Sequence, residues 1–154
     1  MKKLAVALIA AMLLLSTTAF SAQNPPAVDE ALLHLDEPYV HAAKGPKAFD
    51  CSGFIYYCYS KAENIQLLRS AKDQGYDDRF DKVEKIEDLM PGDMIFFNTN
   101  KSDGDFCDHS GLYIGEGNFI HCSSARGKVV ISTLEKGYYN KTFSWGRRVK
   151  EAIK

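Results

Sequence analysis

The sequence predicts an α+β domain in which N-terminal helices pack on a central antiparallel sheet of about five to six strands. In the first half of the chain, apolar residues recur at helical spacing over residues 27–35 and 51–62. In the second half, short apolar runs alternate with turn residues, as in strands joined by hairpins. Helices followed by hairpin-linked strands are the pattern of an α+β domain.

The first 22 residues predict export. Lys2 and Lys3 precede an apolar run over residues 4–15, and small residues follow around 19–22. This order is typical of a secretory signal peptide cleaved near residue 22. The apolar run is shorter than the roughly 20 residues of a spanning helix, which argues against the alternative of an uncleaved anchor. We therefore expect an exported, periplasmic or secreted protein with no stable membrane anchor.

Residues 23–154 are predicted to form a single catalytic domain and to act as a monomer. Without Lys2 and Lys3, the chain keeps 17 basic against 20 acidic residues, a net charge of −3. A mildly acidic domain argues against nucleic acid as a partner. No repeat or second-domain linker interrupts this segment, which is long enough to bury a core of its own.

Two helices are predicted before the sheet. The first covers residues 27–35 and ends before Pro38, and a loop with a Gly45-Pro46 turn follows it. Asp50 is a good N-cap for the second helix. Helical spacing after Asp50 places six residues on one stripe: Cys51, Phe54, Ile55, Cys58, Tyr59 and Ala62.

The strands follow a polar stretch over residues 69–88 in which no element is predicted. Residues 115–117, Gly-Glu-Gly, form the turn of an antiparallel hairpin. The residues between 98 and 108 are expected to form a loop at the rim of a cleft. The five predicted strands cover residues 93–98, 109–115, 118–124, 128–133 and 144–149.

Cys51 stands at the first turn of the second helix, where unpaired backbone N–H groups favour a thiolate over a thiol. Since it begins the inward stripe, its thiol is expected to point toward the strands. The alternative is a buried structural cysteine, the role we expect for Cys58, because free cysteine is among the most buried residue types.

Side chains alternate along a strand, so the hairpin sorts its residues onto two faces. His109 and His121 are expected on one face of adjacent strands, and Gly111 beside them leaves room for a helix end or a substrate. Ser110 and Cys122 are expected on the opposite face. A cysteine nucleophile needs a base, and the base needs an orienting partner.

This pairing predicts Cys51 as the nucleophile, His109 as the base and His121 as the orienting residue. A zinc site built from Cys107, His109, His121 and Cys122 is disfavoured, because His121 and Cys122 are consecutive on a strand and point to opposite faces. No metal and no cofactor is expected.

Native disulfides are also disfavoured. Cys107 is expected on the face of His109 and Cys122 on the other, while Cys51 and Cys58 lie about 10 Å apart along a helix. One hypothesis stays open, in which oxidation joins Cys107 to Cys51.

Three segments, in this order along the chain, resemble the signatures of the NlpC/P60 cysteine peptidases: "PYVHAAKGPKAFDCSGFIYY" (38–57), "LMPGDMIFF" (89–97) and "DHSGLYIGEGNFIHCSS" (108–124). The resemblance implies a papain-like α+β fold and hydrolysis of peptide bonds in peptidoglycan stem peptides. It implies cleavage between D-glutamate and the following diamino acid. It also implies Cys51, His109 and His121 as nucleophile, base and orienting residue.

The resemblance implies roles for three neighbours. Tyr39 is expected near the nucleophile, assisting the oxyanion, while Asp50 and Ser52 are expected to hold the free amine of the stem's first residue. The chain departs from the family at Ala42-Ala43, where glycines are usual, and at Ser110, where an aliphatic residue is common. We expect Ser110 to face away from the site.

Two other functions remain open from the sequence. An amidase or acyltransferase on the same fold would keep the three catalytic residues and change the substrate. A non-catalytic peptidoglycan-binding protein would hold stem peptides without turnover.

Overall fold

The computed structural model describes residues 23–102 and 104–150, and it confirms the α+β architecture. The predicted signal peptide, residues 1–22, lies outside the described residues. Within the described ranges, no helix has the length and apolar character to cross a bilayer. The helices are α1 Pro26–Leu32, α2 Cys51–Glu63, α3 Ala71–Tyr76 and α4 Tyr138–Thr142. The strands are β1 Asp81–Val83, β2 Met94–Phe97, β3 His109–Gly115, β4 Asn118–Ser123, β5 Lys128–Thr133 and β6 Phe143–Arg148.

The six strands form one sheet in the order β1-β6-β2-β3-β4-β5, and every neighbouring pair is antiparallel. β3 and β4 form the predicted hairpin. Its turn residues, Gly115, Glu116 and Gly117, all have positive φ, which explains the two glycines. β6 pairs between β1 and β2, so it lies inside the sheet and β1 forms the edge.

The sheet separates two apolar clusters. On one face, Phe96, Leu112 and Ile120 pack with the buried residues of α1 and α2. On the other face, Phe97 and Phe119 pack in a second cluster. The alternation predicted for the hairpin is confirmed, because neighbouring residues of β3 and β4 contribute to opposite clusters.

Helix α2 begins where the sequence predicts. The Asp50 carboxylate accepts a hydrogen bond from the Gly53 N–H at 2.6 Å, which caps the helix. Asn64 adopts the left-handed conformation that ends it. The buried part of the predicted stripe is Phe54, Ile55, Cys58 and Tyr59. Cys51 is therefore the first residue of a helix that is held firmly against the sheet.

Four short elements among the described residues lie where the sequence predicts none: α3, β1, α4 and a 3-10 turn over Ile86–Asp88. Ser70 caps α3, since its side chain accepts a hydrogen bond from the Asp73 N–H, but the helix has only 6 residues. β1 has 3 residues and is held in place by its pairing with β6. α4 has 5 residues. The first helix ends at Leu32, three residues earlier than predicted. Elements this short carry too few residues to show a period.

Ala42 has a φ of +62°, a conformation that costs an L-residue about 1–2 kcal/mol. We expect Ala42→Gly to stabilise the protein by up to about 1 kcal/mol, because glycine adopts this conformation without the steric cost. The neighbouring Ala43→Gly is the matched control and should destabilise by roughly 0.5–1 kcal/mol. Urea denaturation measures both, and equal losses in the two variants would contradict the expectation.

Candidate active site

A surface cleft opens over the start of α2. Its lining includes Tyr39, His41, Asp50, Cys51, Ser52 and Arg69. The cleft brings the predicted nucleophile together with all three predicted substrate-binding residues. It adds Arg69, which no local sequence pattern indicated.

The Cys51 thiol is partly buried, and its pKa lies above the usual value. Burial is the largest cause, and the negative charge of Asp50 acts in the same direction. The backbone and hydroxyl of Ser110 and the backbone of Ser52 lower the pKa but do not reverse the shift. The expectation that the helix start gives a resting thiolate is therefore wrong, because burial and Asp50 outweigh the N–H groups.

Ser110 lies beside Cys51. It faces away from His109, as strand alternation predicts, but this face is the one against which α2 packs. Its fully buried hydroxyl has no well-formed hydrogen bond among the described residues, and it is close enough to the thiol to lower the pKa of Cys51. The prediction that Ser110 lies away from the site is therefore wrong.

The two histidines are joined on the other face of the sheet. His109 Nε2 lies 2.8 Å from His121 Nδ1, and His121 Nε2 lies 3.0 Å from the Ser132 hydroxyl on β5. Ser132 extends the predicted pair to a chain of three residues. Gly111 makes this contact possible, since a Cβ there would lie 2.8 Å from Phe119 and 3.2 Å from His121 Cβ. Its role is to accommodate the neighbouring strand rather than a helix end or a substrate.

Aromatic rings surround the histidine pair. Phe97 and Tyr139 lie against His109, and Phe119 and Tyr139 lie against His121. Burial lowers the pKa of His109 to about 4 and that of His121 to about 3, and the proximity of His109 adds to the second shift. Both imidazoles are therefore neutral at neutral pH.

The first two residues of β3 connect these groups. His109 extends toward His121 on one side, and Ser110 extends toward Cys51 on the other. In the described part of the chain, no hydrogen bond joins the Cys51 thiol to either histidine, and His109 Nδ1 has no partner. This nitrogen is free to accept a proton, because Nε2 is the one engaged with His121.

Asp50 and Ser52 form one network with Arg69. The guanidinium donates from Nη1 to Asp50 Oδ1 at 3.1 Å and from Nη2 to Asp50 Oδ2 at 2.6 Å. Nη1 also donates to the Ser52 hydroxyl at 3.0 Å. Burial raises the pKa of Tyr39, and the charges of Cys51 and Asp50 add to the shift, so Tyr39 also lies within electrostatic reach of the nucleophile.

All four cysteines are free thiols. Cys107 packs against Gly75 of α3 and lies in the helix-side cluster, so its predicted place on the face of His109 is wrong. Strand alternation fails for Cys107 because β3 begins only at His109. The Cys122 thiol donates to the Phe49 carbonyl at 3.2 Å. Burial raises the pKa of Cys122, and the charge of Cys51 adds to the shift. The thiols of Cys107 and Cys51 are both free in the structure, and the hypothesis that oxidation joins Cys107 to Cys51 stays a prediction.

The fold has known counterparts, and the chain belongs to the NlpC/P60 family, whose family model matches residues 36–148. It is 36% identical over 123 residues to a gamma-DL-glutamyl hydrolase of Bacillus subtilis, covering 79% of this chain and 29% of that protein. It is 30% identical over 124 residues to the murein DD-endopeptidase MepH of Escherichia coli, covering 80% and 45%.

The structure of NlpC1 from Trichomonas vaginalis superposes with a TM-score of 0.71 at 28% identity, covering 80% of this chain and 42% of that one. The predicted NlpC/P60 fold is therefore confirmed. The chain spans less than half the length of each of these three proteins.

The Ser110 hydroxyl should set the reactivity of Cys51. We expect Ser110→Ala to raise the pKa of the thiol further, because a group that lowers it is lost. The rate of iodoacetamide labelling at Cys51 can be measured across pH by peptide mass spectrometry. In Ser110→Ala, the pH at which labelling becomes fast should be higher than in the wild-type protein. Ser60→Ala, on α2 but away from the cleft, is the control. An unchanged profile in Ser110→Ala would show that the hydroxyl does not act on the thiol.

Proposed function

We propose that this protein is a cysteine endopeptidase that hydrolyses peptide bonds in the stem peptides of bacterial peptidoglycan, between D-glutamate and the following diamino acid. The carrying observation is the hydrogen-bonded chain from His109 through His121 to Ser132, which begins at the residue before Ser110, the strand residue that interacts with the Cys51 thiol at the start of α2. The names of two relatives, a gamma-DL-glutamyl hydrolase and a murein DD-endopeptidase, support this substrate class.

The proton positions follow from the chain of contacts. If His109 Nδ1 is to accept the thiol proton, its Nε2 carries hydrogen and donates to His121 Nδ1. His121 then carries hydrogen on Nε2 and donates to the Ser132 hydroxyl. The Ser132 hydroxyl can accept the His121 hydrogen in this arrangement, and His121 orients the His109 ring. This is the orienting role that a catalytic base requires.

The reaction starts from a neutral thiol and a neutral imidazole. His109 removes the proton as Cys51 attacks the scissile carbonyl, which forms a tetrahedral oxyanion. The backbone N–H groups at the start of α2 and the Tyr39 hydroxyl stabilise that oxyanion. His109 then protonates the leaving amine, and water hydrolyses the thioester.

Asp50 and Ser52 hold the free amine of the stem's first residue in this proposal. The Asp50 carboxylate is buried, and a buried carboxylate is the natural partner of an ammonium group. The ammonium shares this carboxylate with Arg69. The signal peptide over residues 1–22 would export the enzyme, as a monomer, to the compartment that contains peptidoglycan.

Cys51→Ala should abolish cleavage of defined tri- and tetrapeptide stems, with a loss of at least about 10³-fold, because it removes the nucleophile. Cys58→Ala is the matched control on the same helix and should keep activity within a few-fold. Mass spectrometry of the products identifies the bond. In a digest of whole peptidoglycan, release of intact stems from glycan would indicate an amidase, and joined peptides would indicate an acyltransferase. Binding without turnover by the wild-type protein would indicate a binding protein, and full activity of Cys51→Ala would refute the proposed mechanism.

The pH profile should report the low pKa of His109. The base must be neutral, so kcat/KM should be maintained well below pH 6.5 and fall only as pH approaches about 4. An acid limb near pH 6.5 would contradict a buried base.

The folded state must be followed in the same experiment. The unfolded chain takes up protons on these histidines more readily than the folded one, so the stability that they contribute is complete above about pH 6.5. It is lost as pH falls toward about 4. Circular dichroism at each pH separates protonation of the base from unfolding.

A further inference from the structure

Arg69 places a cation within the cleft, on the two residues that flank the nucleophile. Its guanidinium binds both oxygens of Asp50 and the hydroxyl of Ser52. The Arg69 side chain remains 40% exposed, while that of Asp50 is 11% exposed. The ion pair therefore presents its positive half to the cleft.

The Arg69 guanidinium has two N–H groups that no described residue accepts. It carries five N–H groups, and three are used: both on Nη1 and one on Nη2. In the described part of the chain, Nε–H and the second Nη2–H have no acceptor. These two groups lie on one edge of the planar guanidinium and form a fork that matches a carboxylate.

The proposed substrate carries such a carboxylate. In a γ-D-glutamyl linkage the peptide chain runs through the side-chain carbonyl, so the α-carboxylate stays free, close to the scissile bond. A stem with a free amino terminus also has an ammonium group one residue away. Substrate ammonium and carboxylate thus stand next to each other, as Asp50 and Arg69 do in the cleft.

We propose that Arg69 binds the α-carboxylate of the γ-D-glutamyl residue through its free Nε/Nη2 edge and thereby selects glutamyl over glutaminyl stems. This inference rests on the proposed function and specifies its substrate. Asp50 and Arg69 bind opposite charges of one substrate, and each keeps the other in position while the cleft is empty.

A pair of peptides tests this role directly. One is L-Ala-γ-D-Glu-diaminopimelate, and the other is identical except that the α-carboxylate of its glutamyl residue is a carboxamide. The wild-type protein should cleave the first with a kcat/KM roughly 10- to 100-fold higher, because the carboxamide loses a charge-assisted two-donor contact. Arg69→Gln should bring this ratio close to one. Arg69→Lys keeps the charge without the fork and should give an intermediate ratio.

The ratio separates substrate binding from a purely structural role. If Arg69 only positions Asp50, then Arg69→Gln lowers cleavage of both peptides equally and leaves the ratio unchanged, which would overturn the inference. Acetylation of the peptide amine should slow wild type and Arg69→Lys to a similar degree, since that group is assigned to Asp50.

The control variant is Arg79→Gln. Arg79 forms a comparable two-donor pair with Asp77 outside the cleft, so its loss should leave the ratio unchanged. If the wild-type protein cleaves neither peptide, the proposed function fails and this inference fails with it. If it cleaves both at equal rates, only the role of Arg69 is refuted.

Discussion

The Asp50 carboxylate is the group on which the arrangement of the cleft depends. It caps α2 through the Gly53 N–H, binds Arg69 with both oxygens, and raises the pKa of the neighbouring thiol. Helix position, cleft charge and thiol protonation are therefore not independent. A change at Asp50 would alter all three, so a loss of activity in an Asp50 variant would not by itself reveal a substrate contact.

The sheet contributes a second constraint. Because consecutive side chains of β3 point to opposite faces, His109 and Ser110 lie on opposite faces of the sheet. The histidines can be enclosed by aromatic rings while the cysteine stays on the helix side. Burial then keeps both the His109 imidazole and the Cys51 thiol uncharged at neutral pH. In the proposed mechanism, the thiol is therefore activated only when substrate binds.

The sequence predicted the features that depend on local period. The capped start of α2, the β3–β4 hairpin and the approach of His109 to His121 follow from spacing and alternation alone. Ser132 and Arg69 could not be found in this way, because their partners lie on other elements. Ser110 shows a different limit. Strand alternation correctly predicts that it faces away from His109, but it does not predict on which face of the sheet α2 packs. The three motifs located the family, and the structure supplied these contacts.

A neutral resting thiol also affects how long the protein resists oxidation. Thiolates, not thiols, react readily with peroxides and electrophiles, and a first oxidation step can lead on to irreversible acids. Burial and the nearby carboxylate keep Cys51 in its less reactive form. In the proposed exported enzyme, this protonation state would protect the sulfur that serves as the proposed nucleophile.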